Sequence, residues 1–490
     1  MVETGLEDLL EDRPEGLFLH REREGPDAMK AWRWRYKRQW IISLSVILIL
    51  ALAATIGSTS SSFSDPEAST DNINRVITNW YDLAWSYRKP ITIDNSGSEL
   101  TDYQVKVTVN TQELIAAGKM QPDGDDIRFT QSNGSTEIYY WIESGINTIS
   151  TVIWVKVPSI PTGDSTIYMY YGNSAASAAS SVANTFSSGS FADTFTDTSK
   201  INTSDSVNVE VISEEVRLTQ IIQNPGFETE ISASDWTYAE NDPDWDGARA
   251  TDWFTEGSWS YKLSLPKNAA VDGNSYCEIT QDLDLTDINS LCFDAQVDDH
   301  GGDLAAQVLI DITVVLNNIQ TGNNQTVDVS IYSGTHTLRV RFQNPGASVV
   351  KSTGGESYYR TDNWRGYQSS GILRSVTIPE NTDTRLAVGT QLSWTDNEPV
   401  NTDIKYQLEY YDGAWALIPD TDLAGNSTGF DDSPIDISSI KTTYGQIRLR
   451  ANLSTTDNMV TPSVQDWTVT YYYREYTSPE PTVAEIGGEE

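Results

Sequence analysis

In the stretch QVKVTVN, Val105, Val107 and Val109 alternate with Lys106, Thr108 and Asn110. That period of two belongs to a strand with one face buried and the other in water. It returns at Ile153, Val155 and Val157 and again at Tyr406, Leu408 and Tyr410. Turn chemistry punctuates the runs, as at Pro161-Thr162-Gly163-Asp164 and at Asp412-Gly413. Aromatic content rests on 15 Trp and 24 Tyr against 11 Phe, and Trp, Tyr and Thr favour strands. The expected fold class is therefore all-β. A length of 490 residues points to tandem β-sandwich or jelly-roll domains, each with its own core.

One segment departs from this pattern. Residues 41–57, IISLSVILILALAATIG, carry no charge and no proline. That length matches the short end of a membrane-spanning helix. Lys30, Arg33, Arg35, Lys37 and Arg38 precede it, and Trp34, Tyr36 and Trp40 suit an interfacial belt. The positive flank predicts a single-pass cell-membrane protein with residues 1–40 cytoplasmic and the bulk of the chain extracellular. A cleaved signal peptide is the rival reading, with Ala51-Leu52-Ala53 as its small-residue site; a preceding region of about forty residues counts against it. The net charge of −38 argues against nucleic acid as a partner, because phosphate binding needs a basic footprint. Residues 58–79 form a Ser/Asp/Asn-rich stalk.

Four motifs follow in order: WSYRKPITI at residues 85–93, DIRFT at 126–130, YYWIE at 139–143 and MYYGN at 169–173. Together they resemble the domain-of-unknown-function family numbered 2341, found in bacterial and archaeal surface proteins, over about residues 82–186. The resemblance implies a β-sandwich, here residues 80–186, and no established chemistry. Trp85, Trp141 and Trp154 read as core rather than as ligand contacts.

The stretch NPGFE at residues 224–228 and the Asp-Asn pair at Asp362 frame a second unit. It resembles the jelly-roll carbohydrate-binding modules over residues 221–366. That resemblance implies a structural calcium held by Glu228 and Asp362 with backbone carbonyls, an oxygen-rich set that calcium accepts. The competing reading is a turn with an exposed acid. Trp245 in NDPDWDGARA and Trp253 in TDWFTEG sit among turn residues, which makes them sugar-stacking candidates with Asp244 and Asp246 as hydroxyl acceptors. Tryptophans of this kind also cap sandwich ends. Alternation in GSWSYKLSL assigns Trp259 and Tyr261 to the core face. Cys277 and Cys292 lie in two strand-like runs about a turn near Asp284–Asp287, a placement that allows a cross-strand disulfide; two buried thiols is the alternative.

Residues 191–220 and 367–475 both read as strand material that needs partners. They are expected to form one discontinuous third sandwich carrying the 221–366 module as an insert. Residues 476–490, rich in Pro, Glu and Gly, are expected to be disordered. Sequons at Asn133, Asn202, Asn324, Asn426 and Asn452 fit an exported chain. With three histidines and no recognisable nucleophile, zinc or phosphate-loop motif, catalysis is not expected. The sequence thus predicts a membrane-anchored surface protein that recognises glycans or acts in adhesion. A structural envelope or stalk protein and a glycoside hydrolase, which needs only two carboxylates, are the alternatives.

Overall fold

The computed structural model describes residues 79–300 and 303–490. The apolar run 41–57, residues 1–40 expected to be cytoplasmic and almost all of the expected stalk, residues 58–79, lie outside these residues. Among the described residues no helix is long and apolar enough to cross a membrane.

The first sandwich contains β1 (Tyr87–Asn95), β2 (Leu100–Val109), β3 (Arg128–Thr130), β4 (Glu137–Ile138), β5 (Tyr140–Ser144), β6 (Thr151–Ile160) and β7 (Gly163–Tyr171). Strands β1, β7, β3 and β4 form one sheet, and β2, β6 and β5 form the other. Val105, Val107, Val109, Ile153, Val155 and Val157 meet in the core between them. Helix α1 (Thr111–Ala116) follows β2 and is capped by the Asn110 side chain, which accepts the Glu113 N–H. Asp126 explains why DIRFT and MYYGN occur together. Its buried carboxylate accepts N–H bonds from Gln121 at 3.0 Å, Gly172 at 2.6 Å and Asn173 at 3.3 Å. The Trp85 indole donates to the Asp126 carbonyl at 2.6 Å. These motif residues hold the scaffold together. Trp85 is buried there, whereas Trp154 and half-buried Trp141 pack on Phe186 in a separate cluster with Ala387 of the last sandwich.

After α2 (Val182–Thr185) come β8 (Ser187–Asp193), β9 (Val209–Ile212) and β10 (Glu215–Leu218). The jelly roll then takes β11 (Thr237–Glu240), β12 (Asp246–Ala250), β13 (Ser260–Leu265), β14 (Ala270–Val271), β15 (Tyr276–Asp284) and β16 (Ser290–Asp298). It continues with β17 (Ala305–Ile310), β18 (Thr313–Asn317), β19 (Gly322–Asp328), β20 (Thr335–Gln343), β21 (Val350–Lys351) and β22 (Ser357–Arg365). Two five-stranded sheets, β11-β15-β20-β17-β18 and β12-β13-β22-β16-β19, enclose its core. Phe293 and Trp364 stack at its centre with centroids 4.4 Å apart, beside Trp236 and Phe227.

The remaining strands are β23 (Ser370–Arg374), β24 (Thr384–Asn397), β25 (Thr402–Tyr411), β26 (Trp415–Leu417), β27 (Ile435–Asp436), β28 (Ile447–Thr455), β29 (Ser463–Glu475) and β30 (Thr482–Ile486). Both β8 and β10 pair with β29, so strands before and after the jelly roll share one sheet. The jelly roll enters and leaves through adjacent backbone: Ile221 donates to Gly366 O at 2.8 Å, and Gln220 bonds both Gly366 N and Trp364 O. Adjacent ends leave the host sheet unbroken.

Three expectations are corrected. Cys277 and Cys292 are free and buried, not bridged. Strands β15 and β16 belong to opposite sheets, so the turn between them crosses the sandwich. Cys277 sits opposite Glu240 and Phe342, Cys292 opposite Thr326 and Arg365. The 476–490 tail is ordered: β30 adds to the open edge of β1, pairing Ile91 with Ile486 and Ile93 with Val483. Beyond it Glu489 meets Lys119 at 2.5 Å and Glu490 meets Arg88 at 2.7 Å. A short strand on an unpaired edge needs few apolar residues, and the Pro/Glu composition hides it. Asn426 is fully buried, with its amide donating to Leu408 O and Ile418 O, so this sequon offers no accessible nitrogen.

Candidate functional site

The residues expected to hold calcium meet around one loop. Gly226, in NPGFE, faces both carboxylates: a carbon placed on it would lie 3.7 Å from Asp362 Oδ1 and 3.9 Å from Glu228 Cγ. Loop residues 255–259 donate to both acids. Thr255 N and Glu256 N reach Asp362 Oδ2 at 2.6 and 3.1 Å, and Ser258 N and Trp259 N reach Glu228 Oε1 at 2.7 and 3.0 Å. Glu228 is exposed, whereas Asp362 is completely buried. Asp362 Oδ1 has no hydrogen-bond partner, and burial pushes its carboxyl pKa upward. Directly across the ladder lies a second buried acid, Asp294, which shares the Thr255 hydroxyl with Asp362. The backbone here is strained: Asn224, Phe227 and Asn363 all adopt positive φ, near 50°. Arg249 grips the loop from outside, donating to Phe227 O and Glu228 O at 2.7 Å each. Sequence reasoning missed Asp294, because its relevance comes only from its register opposite Asp362.

Of the four expected sugar contacts, Trp245 is withdrawn into the core. Trp245 is 3% exposed and meets Phe342 edge-on at 5.5 Å in the core, so it presents no stacking face. Its loop composition misled because the chain turns inward at this one residue. Asp244 and Asp246 remain exposed on either side, and Trp253 is half-buried. Trp259 is also outside the core, stacked under the Arg249 guanidinium at 3.9 Å, while Tyr261 is buried as alternation required.

A polar row unforeseen from the sequence crosses the outward face of the other sheet. Cys277, Ile279, Val340, Phe342, Ala306 and Val308 point into the core. Their neighbours point away, and the register aligns Glu278, Arg341, Gln307 and Asn317 across four strands. Glu278 is 2% exposed and accepts from Arg339 at 2.6 Å and Arg341 at 2.7–2.8 Å. The Arg341 guanidinium lies 4.0 Å over the half-buried Tyr276 ring. Gln307 donates to Asn317 Oδ1 at 2.7 Å, and its own Oε1 is buried without a partner. Donors, acceptors and an aromatic ring thus share one face. The signal was present in YCEITQ and TLRVRFQ, where residues of opposite parity to the apolar set are Tyr, Glu and Arg. His336 does not form a catalytic triad: its ring nitrogens face Asp311 at 2.9 Å and the Ser333 carbonyl at 3.3 Å.

Residues 123–207 match the family described as "Domain of unknown function (DUF2341)". That span includes DIRFT, YYWIE and MYYGN and leaves WSYRKPITI outside. No curated protein matches the chain. Among solved structures, the chain is similar to TmCBM61 in complex with beta-1,4-galactotriose, with 14% identity and a TM-score of 0.22, over 30% of this chain and 96% of that one. It is similar to the CBM22-1-CBM22-2 tandem domain of Paenibacillus barcinonensis Xyn10C, with 11% identity and a TM-score of 0.19, over 52% of this chain and 97% of that one. It is also similar to the glycoside hydrolase domain of Endo-D from Streptococcus pneumoniae R6, with 13% identity and a TM-score of 0.20, over 48% and 37% of the two chains.

Proposed function

We propose that this chain is a membrane-anchored extracellular surface protein whose jelly roll binds a glycan. The single observation that carries the glycan reading is the row Glu278–Arg341–Gln307–Asn317 beside Tyr276, which sets donors and acceptors next to an aromatic ring on one face. Sugar hydroxyls need matched donors and acceptors beside an apolar ring, and this face supplies all three. Arg339 and Arg341, each partly exposed, donate, exposed Asn317 offers its amide, Tyr276 supports a sugar ring, and buried Gln307 holds Asn317 in the row. The apolar run 41–57 with its basic flank supports the anchor.

A calcium fits beside Asp362. Its buried, unpartnered Oδ1 and the adjacent buried Asp294 make a site with two acids, neither of them in an ion pair with Lys or Arg among the described residues. No group of three or more His, Cys, Asp or Glu among the described residues suffices alone, so backbone carbonyls of the NPGFE loop would complete the set with Asp362 and Glu228. Calcium there would supply countercharge and tie the first loop of the module to β22. It takes no part in chemistry.

The test is binding of residues 79–490 to a panel of neutral gluco-, xylo-, manno- and galacto-oligosaccharides by calorimetry. Gln307→Ala should weaken the best ligand roughly tenfold, because Asn317 loses the donor that holds it in the row. A panel with no binder would favour a spacer protein, in which Glu278 and its two arginines serve only the sheet.

A further inference from the structure

The third sandwich carries a second outward face of unusual charge. On the sheet formed by β23, β28, β25 and β26, Ile404, Tyr406, Leu408, Leu449 and Ala451 fill the core. The opposite parity places Arg374, Arg448 and Arg450 around one carboxylate, Glu409, which is 4% exposed. Arg448 Nε lies 2.6 Å from Glu409, Arg450 Nη1 3.3 Å and Arg374 Nε 3.4 Å. Arg448 also pairs with Asp205. Three guanidinium groups against two carboxylates leave one positive charge in surplus, on a chain whose net charge is −38.

Satisfying Glu409 does not require this arrangement. Arg448 alone meets it at short range, yet Arg374 and Arg450 stand directly opposite each other in the ladder. Like charges at that position destabilise a sheet. Burial and the two neighbouring arginines depress the Arg374 pKa, as expected for a crowded cation. Arg374 Nε, although near Glu409, is buried and lacks hydrogen-bond alignment. Arg374 Nη1 is taken by the Asp205 carbonyl and Arg450 Nε by Asn452 Oδ1, so an anion would meet the surplus charge at the Nη2 groups of Arg374 and Arg450, which have no partner among the described residues.

The same face carries aromatic surface. Arg448 lies 4.3 Å over the Trp415 ring, and Trp415 meets Tyr411 edge-on at 5.3 Å. Tyr411 is 48% exposed. Alternate residues along a strand face are about 7 Å apart, a spacing that a saccharide of two or three units spans. We propose that this face binds an anionic saccharide of the uronate class, with carboxylate on Arg374 and Arg450 and a sugar ring on Tyr411 and Trp415. The site is independent of the jelly-roll face and stands or falls separately.

The experiment titrates residues 79–490 with oligogalacturonate and with a neutral galacto-oligosaccharide, at low and high salt. Oligogalacturonate should bind, and its affinity should fall several-fold from about 0.05 to 0.5 M NaCl as the charges are screened. Arg450→Gln should weaken it about tenfold or more, Arg450→Lys less, because lysine keeps charge without the fork. Tyr411→Ser, at an exposed position, should weaken it without changing the melting temperature. Gln307→Ala should leave it unchanged. Oligogalacturonate that does not bind, or binds equally to the Arg450 and Tyr411 variants, overturns the proposal. Loss of binding in Gln307→Ala alone would move the ligand to the jelly roll and equally overturn it.

Discussion

Replacing Asp362 with asparagine separates a metal site from an ordinary buried turn. In the native chain one carboxylate oxygen takes the Thr255 N–H and hydroxyl and the Glu256 N–H, while the other has no partner. A buried polar oxygen left unpaired costs about 1–3 kcal/mol, more when charged. A cation bound only by the folded state, at one hundred times its dissociation constant, contributes about 2.7 kcal/mol. For a cooperative unit the size of the jelly roll, that corresponds to roughly 5–10 °C in melting temperature. Asparagine keeps one acceptor for the loop N–H groups and puts an uncharged amide where the orphan oxygen stood. Scanning calorimetry of residues 79–490 should therefore show a calcium-dependent rise for the native chain and none for Asp362→Asn. In chelator the variant should melt at or above the native temperature. The pH dependence follows from the raised pKa of Asp362. Between that raised value and the ordinary carboxylate value near 4, the folded state holds a proton that the unfolded state has lost. Without calcium, this group makes the protein more stable as pH falls through that window. Protons and calcium compete for the same oxygen, so the calcium increment should shrink in the same window. An equal calcium shift in native and variant proteins, or no shift and no bound metal by elemental analysis, would rule out a calcium site at Asp362.

The remaining predictions concern packing. Trp245→Ala should lower stability by about 3–5 kcal/mol, measured by denaturant titration, and act on glycan affinity only through unfolding; a selective loss of binding in a fully folded variant would restore it as a contact. Asp126→Asn should destabilise the first sandwich by about 1.5–3 kcal/mol, because three backbone donors lose a charged acceptor; unchanged amide exchange at Gly172 and Asn173 would contradict this. A thiol reagent should count two free cysteines after denaturation without reductant. It should react slowly in the native state, where burial raises both thiol pKa values.

Strands with one wet face were legible because period two is a local property. Val105 to Val109 behave as their alternation requires, whereas at Tyr406 to Tyr410 the strand is correct but Gln407 and Glu409 on the expected wet face are buried. Facts that depend on which strand lies beside which were not legible. The spacing of Cys277 and Cys292 reads as a hairpin, but nothing local reveals that the intervening turn changes sheets. Asp294 acquires meaning only opposite Asp362, and Arg374 only opposite Arg450. Trp245 shows the limit of composition: its neighbours are turn residues, yet its indole finds Phe342 across the core. Glu228 and Asp362 were legible as a pair because the NPGFE resemblance carried long-range information that periodicity lacks. The polar row stayed hidden because alternation was read for its buried half alone.

Calorimetric titration of residues 79–490 with neutral oligosaccharides, for the native chain and for Gln307→Ala and Tyr276→Ala, asks whether the jelly-roll face is a glycan site. One oligosaccharide should be preferred, with affinity lowered roughly tenfold by either substitution in protein that remains folded at the titration temperature. Binding that survives both substitutions in full, or no binding by the native chain, would contradict the glycan reading.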